Sequence, residues 1–129
     1  MLRSFLAVAL GGAVGAMARY GVSVLTVRVI GHGFPLATMI VNVVGSFVMG
    51  ALIEALALRW TVPPEVRLFL IAGFLGAFTT FSTFTLDVVA LADRGQVVAS
   101  TLYLGLSVAL GLGALVAGMA LGRMAFQGS

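Results

Sequence analysis

Four apolar runs occupy nearly all of the 129 residues and leave only short connections between them. A helix rises 1.5 Å per residue, so about 20 apolar residues cross the hydrocarbon core of a bilayer. The runs fall at about 5–27, 36–58, 66–92 and 97–121. Charged residues make up 9% of the chain, against about 25% in a soluble domain. The sequence therefore predicts an all-α integral membrane protein, a single four-helix membrane domain over residues 1–129. The connections agree. Residues 28–35 carry Gly31, Gly33 and Pro35, a Gly/Pro turn. Arg59 and Trp60 make a basic and aromatic anchor at the end of the second run. Pro64 suits the first turn of the third helix. Arg123 and a short polar tail close the chain.

The first run also has the outline of a secretory signal, with Met1-Leu2-Arg3, an apolar stretch and Ala16-Met17-Ala18. Apolar character resumes past Ala18 as far as Val29, longer than a signal core. A first spanning helix is the expectation.

Charge and chemistry exclude several classes. The seven basic residues are all arginine and are scattered singly, so the high pI comes with no basic patch for nucleic acid. There is no cysteine, and the one histidine, His32, sits in a Gly-His-Gly turn. The acids are Glu54, Glu65, Asp87 and Asp93, none at the centre of a run. That weakens a proton-coupled carrier, which needs a titratable acid in its path. No Walker-type loop, metal-ligand cluster or nucleophile–base pair is present. An enzyme is not expected.

The third run departs from ordinary spanning composition. Gly73 and Gly76 precede Thr79, Thr80, Ser82, Thr83 and Thr85, interleaved with Phe74, Phe78, Phe81 and Phe84. Glycine weakens a helix, and Ser and Thr offer the backbone alternative partners. Irregular backbone at membrane depth is tolerated only where protein buries it or water reaches it. Freed carbonyls there suit a cation. Taken alone, small polar residues more often serve helix packing; their clustering in one span favours a broken helix that handles an ion.

The other spans add polar groups. Thr38, Asn42, Ser46, Gly50 and Glu54 recur at steps of four, one face of the second helix. Asn42 has two N–H donors and is either an interhelical hydrogen bond or a donor to an anion. Glu54 is near enough to its helix end to reach the interface. Tyr103, Ser107 and Gly111 repeat the four-residue step on the fourth span. Arg19 is the one charge well inside an apolar run. It is either functional or snorkels to the surface. Hydroxyl and amide donors with phenylalanine ring edges suit a small, hard anion that exchanges water for them.

Arginine balance bears on orientation. With both termini on one side, that side holds Arg3, Arg59, Arg67 and Arg123; the other holds Arg28 and Arg94, plus Arg19 if it snorkels outward. Four against three is almost no positive-inside bias. Such balance suits insertion in both orientations, and opposite copies would pair with the inverted symmetry of many transporters. The spacings Gly11/Gly15 and Gly118/Gly122 allow close helix approach within or between chains.

The run from Gly76 to Phe84 closely resembles the signature of the Fluc (CrcB) fluoride channels. Gly15 with Ala18-Arg19-Tyr20 and the stretch Asn42-Val43-Val44-Gly45-Ser46-Phe47 look like that family's first- and second-span patterns. Tyr103 and Ser107 look like its fourth-span polar pair, and the likeness covers essentially the whole chain. The resemblance implies a passive, fluoride-selective channel of the cell inner (plasma) membrane that exports fluoride and confers fluoride resistance. It implies an antiparallel, dual-topology homodimer with two pores. The backbone carbonyls of Gly76 and Thr79 from both subunits would enclose a structural sodium ion. Phe81 and Phe84 would present ring edges to fluoride, with Asn42, Tyr103 and Ser107 on the same pathway. The hydroxyls of Thr80, Ser82 and Thr83 are expected beside them, and Arg19 as a vestibule charge. The family often has a second glycine where Ala77 stands. Two other classes are weighed against it. A small multidrug-type cation antiporter shares four spans and dual topology, but it needs a glutamate deep in its first span, where this chain has Arg19. A non-transporting assembly subunit would use the hydroxyl cluster for packing alone.

Overall fold

The computed structural model describes residues 1–127, and among these every regular element is a helix. Helix α1 is Leu2–Ile30 and α2 is Leu36–Leu58. The third span is composite: α3 Pro64–Leu68, a π-helical segment Phe69–Leu75, α4 Gly76–Phe78, then α5 Phe81–Asp93. Helix α6 is Val97–Gln127. Four helical stretches are thus long and apolar enough to cross a membrane: Leu2–Ile30, Leu36–Leu58, Pro64–Asp93 and Val97–Gln127. The tail expected after Arg123 is helical as far as Gln127; residues 128–129 lie outside the described residues.

Element ends follow local chemistry. Gly31 ends α1 with φ 92°, a conformation that L side chains rarely adopt. Pro64 stands in the first turn of α3, where a missing N–H costs nothing. Gly95, φ 79°, turns the chain between α5 and α6.

Two helix pairs carry the packing, and glycine makes both possible. Helix α6 lies along α2. A Cβ on Gly118 would strike the Phe47 carbonyl oxygen, and one on Gly50 the Leu115 carbonyl oxygen. Backbone touches backbone along this seam, the usual route to helix association in lipid. Helix α1 lies along the first half of the third span. There a Cβ on Gly11 would strike the Phe69 carbonyl oxygen, and one on Gly15 the Phe74 carbonyl oxygen. The π segment widens the helix just where α1 crosses it: the Gly76 N–H reaches back five residues to the Ile71 carbonyl. Nothing in the residue pattern signalled that segment.

Glu54, near the end of α2, has a partner within the chain. It is buried, and its Oε1 accepts a 3.0 Å hydrogen bond from Arg123 Nε. Gly122 clears the way: a Cβ there would strike the Glu54 Cβ at 2.8 Å. A buried carboxylate needs such a partner, and the continuation of α6 beyond residue 121 brings it there.

The core is thin. The fully buried large side chains are Tyr103, Leu91 and Val41, with Phe84 close behind. Large apolar residues stay exposed along all four spans, among them Leu10, Met17, Val44, Leu86, Leu102 and Leu112. Lipid or other protein must cover them.

Candidate functional site

The third span loses its helical ladder at two residues. Thr79 (φ −87°, ψ 158°) and Thr80 (φ −151°, ψ 122°) are extended, between α4 and α5. Every backbone group released there needs another partner at membrane depth, and side chains from three elements supply several.

Thr79 closes the first half. Its N–H and its Oγ1 both donate to the Leu75 carbonyl, at 3.1 and 2.9 Å. Gly45 of α2 makes room for the Thr79 methyl. Thr80 opens the second half as an N-cap: its Oγ1 accepts from Thr83 N–H at 3.2 Å. Asn42 of α2 then holds Thr80 by both ends of its amide. The Thr80 N–H donates to Asn42 Oδ1 at 2.8 Å, and Asn42 Nδ2 donates to the Thr80 carbonyl at 3.0 Å. In a continuous helix the Thr80 N–H would serve the Gly76 carbonyl, so that carbonyl loses its usual partner. The Ala77 carbonyl, which would have served Phe81, accepts instead from Arg19 Nε at 2.9 Å.

Gly76 has ordinary helical angles, φ −61° and ψ −35°, and is exposed. A Cβ there would meet only the Ile71 carbonyl oxygen, at 3.5 Å. Neither conformation nor crowding within the chain calls for glycine. Ala77 likewise lies within a helical turn.

Beyond the interruption, Phe81 and Phe84 lie one turn apart on α5, ring centroids 5.9 Å apart and inclined at 53°. Phe81 is 76% exposed and Phe84 7%. With Asn42, Ser107 and Val108 they line a cavity of about 140 Å³. Ser107 Oγ is buried and has no hydrogen-bond partner among the described residues. An orphaned hydroxyl in a buried position needs an explanation, and this one sits beside two aromatic rings and an amide. A second cavity, of about 270 Å³, continues past Asn42 to Ser46, Met49, Thr79, Thr80, Phe81 and Leu115.

The structure thus brings Asn42, Phe81, Phe84, Ser107 and Thr80 together. Tyr103 lines neither of these cavities but packs directly behind Phe84. That ring is buried between Phe34 and Phe84, with centroids 5.4 Å from each. Its hydroxyl donates to Asp87 Oδ2 at 3.0 Å. Asp87 faces a separate cavity, about 260 Å³, toward His32 and Arg94. Ser82 is exposed, its Oγ 3.5 Å from Thr80 Oγ1. Thr83 lines a small cavity of about 60 Å³ with Arg19, Ser23, Thr38 and Thr80. Leu115 and Met49 were missed by sequence reasoning, since apolar residues on spanning helices carry no signal. The Asp87–Tyr103 pair was missed because sixteen residues and a turn separate the partners.

The chain matches the family model described as CrcB-like protein, Camphor Resistance (CrcB), over residues 6–119. It is 48% identical over 123 residues to a protein of Rhizobium etli named fluoride-specific ion channel FluC, covering 95% of this chain and 98% of the relative. A protein of the same name from Cereibacter sphaeroides is 53% identical over 120 residues, 93% of this chain and 94% of the relative. One from Agrobacterium fabrum is 48% identical over 119 residues, 92% of this chain and 95% of the relative. Matched by that model over most of its length, and by relatives along nearly the whole of theirs, this chain belongs to the CrcB family.

Proposed function

We propose that this protein is a fluoride-specific channel, not an enzyme, exporting fluoride passively across the plasma membrane. The observation that carries the reading is the cavity shared by Phe81, Phe84, Asn42 and the unpartnered Ser107 hydroxyl, in a chain whose relatives are named fluoride-specific ion channels. Ring edges, an amide N–H and a hydroxyl all offer partial positive charge to an ion shedding its water. Asn42 uses one Nδ2 hydrogen on Thr80 and keeps the other. Ring edges bind weakly, which lets the ion leave as readily as it arrives.

The working unit in this reading is an antiparallel, dual-topology homodimer with two pores. Its support is the exposed face around the interruption. Phe81 is 76% exposed although it belongs to the site, and Gly76 is a glycine that its own chain does not require. A second copy against this face would bury Phe81 and explain Gly76. The carbonyls of Gly76 and Thr79 are the groups that would hold a sodium ion between the copies. Among the described residues no cluster of three His, Cys, Asp or Glu is available for a metal, and neutral carbonyls suit a monovalent ion better than a divalent one. The ion would coordinate the oxygen lone pairs of carbonyls that the interruption leaves without helical donors.

Purified protein in liposomes tests the function. Fluoride efflux with no comparable chloride efflux, and no dependence on a proton gradient, is expected. Drug-driven proton exchange would favour the antiporter, and inert liposomes would favour a structural subunit.

A further inference from the structure

On α1, Gly11, Gly15 and Arg19 stand four residues apart and so share one face. That face lies on the third span. Gly11 rests against Phe69 and Gly73, and Gly15 against Phe74. Arg19, next along the stripe, meets the end of the first half-helix: its Nε donates to the Ala77 carbonyl at 2.9 Å. The extended Thr79 and Thr80 have removed that carbonyl's helical donor. A carbonyl left bare at membrane depth is costly. Arg19 also lines the small cavity with Ser23, Thr38, Thr80 and Thr83, whose hydroxyl oxygens are of the kind that accepts guanidinium N–H groups.

We infer that Arg19 is a positioning residue, acting through its Nε–H as the cap of the Ala77 carbonyl and so fixing the direction in which the first half-helix ends. Its role differs from that of a free charge facing the ion. Gly76 and Thr79 flank the capped turn, so the orientation set at Ala77 is passed to both. The two glycines bring α1 close enough for the arginine to reach, and the stripe works as one device.

The side-chain chemistry gives a clean test. In glutamine the amide nitrogen stands the same number of bonds from Cα as Nε does in arginine. Arg19→Gln therefore keeps an N–H donor at that position and removes the charge. Arg19→Lys keeps the charge one atom further out, with no N–H at that position. Arg19→Met keeps the length and has neither. Two readouts are taken in bilayers: the carbonyl ¹³C shift of Ala77 by solid-state NMR, and fluoride efflux from liposomes. The efflux readout rests on the fluoride-channel reading; the shift does not.

Glutamine is expected to keep the Ala77 shift near wild type, while lysine and methionine move it upfield as the hydrogen bond is lost. Efflux should follow the same order, with glutamine faster than lysine by roughly tenfold, the scale of one neutral hydrogen bond. Should methionine not yield folded protein, the glutamine–lysine comparison decides alone. The inference is overturned if lysine keeps shift and efflux while glutamine loses them, or if the shift ignores all three changes. Equal efflux in the glutamine and lysine variants overturns it as well. Wild-type protein without fluoride efflux defeats the channel reading instead, and the ordering of shifts still decides the role of Arg19.

Discussion

Asn42 and Thr80 are joined by two hydrogen bonds, so a side-chain amide on one helix pairs with the backbone of another as a neighbouring strand would. The Thr80 N–H reaches Oδ1 at 2.8 Å, and Nδ2 reaches the Thr80 carbonyl at 3.0 Å. One residue thereby satisfies both a donor and an acceptor that the interrupted helix releases. The same amide lines the cavities on either side of Phe81, so support of the backbone and, in the proposed channel, contact with the ion would meet at one position.

Asn42→Asp separates those two roles poorly, and that makes it diagnostic. The variant still accepts from Thr80 N–H but turns a carboxylate oxygen toward the Thr80 carbonyl. Losing the donor and opposing two oxygens should cost about 2 kcal/mol or more. Thermal unfolding in detergent should show that loss, together with abolished fluoride efflux. A wild-type melting temperature would mean that the paired amide does not hold Thr80.

The two phenylalanines should respond differently to isoleucine. Both substitutions remove the ring quadrupole, and each is expected to lower fluoride efflux at least roughly tenfold. Phe84 is buried against Tyr103, so Phe84→Ile should also destabilise by about 1–3 kcal/mol. Phe81 is exposed in the single chain, and Phe81→Ile should leave its fold intact. Stability and efflux measured on the same preparations check the split. Efflux at wild-type rates in both would return the rings to packing.

Ser107→Ala removes a buried hydroxyl that has no hydrogen-bond partner among the described residues. Relieving an unsatisfied group should leave stability unchanged or raise it by up to about 1 kcal/mol. Fluoride efflux should nevertheless fall severalfold if, as proposed, the hydroxyl donates to the ion in the cavity it lines. Chemical denaturation paired with efflux measures both. A destabilised Ser107→Ala protein would show that the hydroxyl had a structural partner.

Glycine positions separate folding from assembly. Gly118→Ala drives a Cβ into the Phe47 carbonyl oxygen and should destabilise the chain by about 2 kcal/mol. Gly76→Ala meets only an ordinary contact, with the Ile71 carbonyl oxygen at 3.5 Å. The chain should fold normally and fail only in pairing, which cross-linking or subunit counting in membranes detects. Wild-type dimer content in Gly76→Ala would refute pairing through this face.

The sequence by itself determined the membrane class and the four spans, and it named the residues from which the candidate site is drawn. Apolar runs of spanning length admit few alternatives, because lipid satisfies no backbone group and each run must close its own hydrogen bonds. The glycines at 11, 15, 118 and 122 also marked where helices approach. Tertiary structure decided the partners. Asn42 sits on a polar stripe that the sequence displayed, but only packing across Gly45 aims its amide at Thr80 rather than at a helix face. Glu54 met Arg123 because α6 runs on to Gln127, and Tyr103 met Asp87 because α5 and α6 fold back on each other. Arg19 turned inward because two glycines let α1 lie flat on the third span. A side chain's position along a helix is periodic and can be read from its number. The group it bonds is set by which backbones approach, and that is a property of the packed chain.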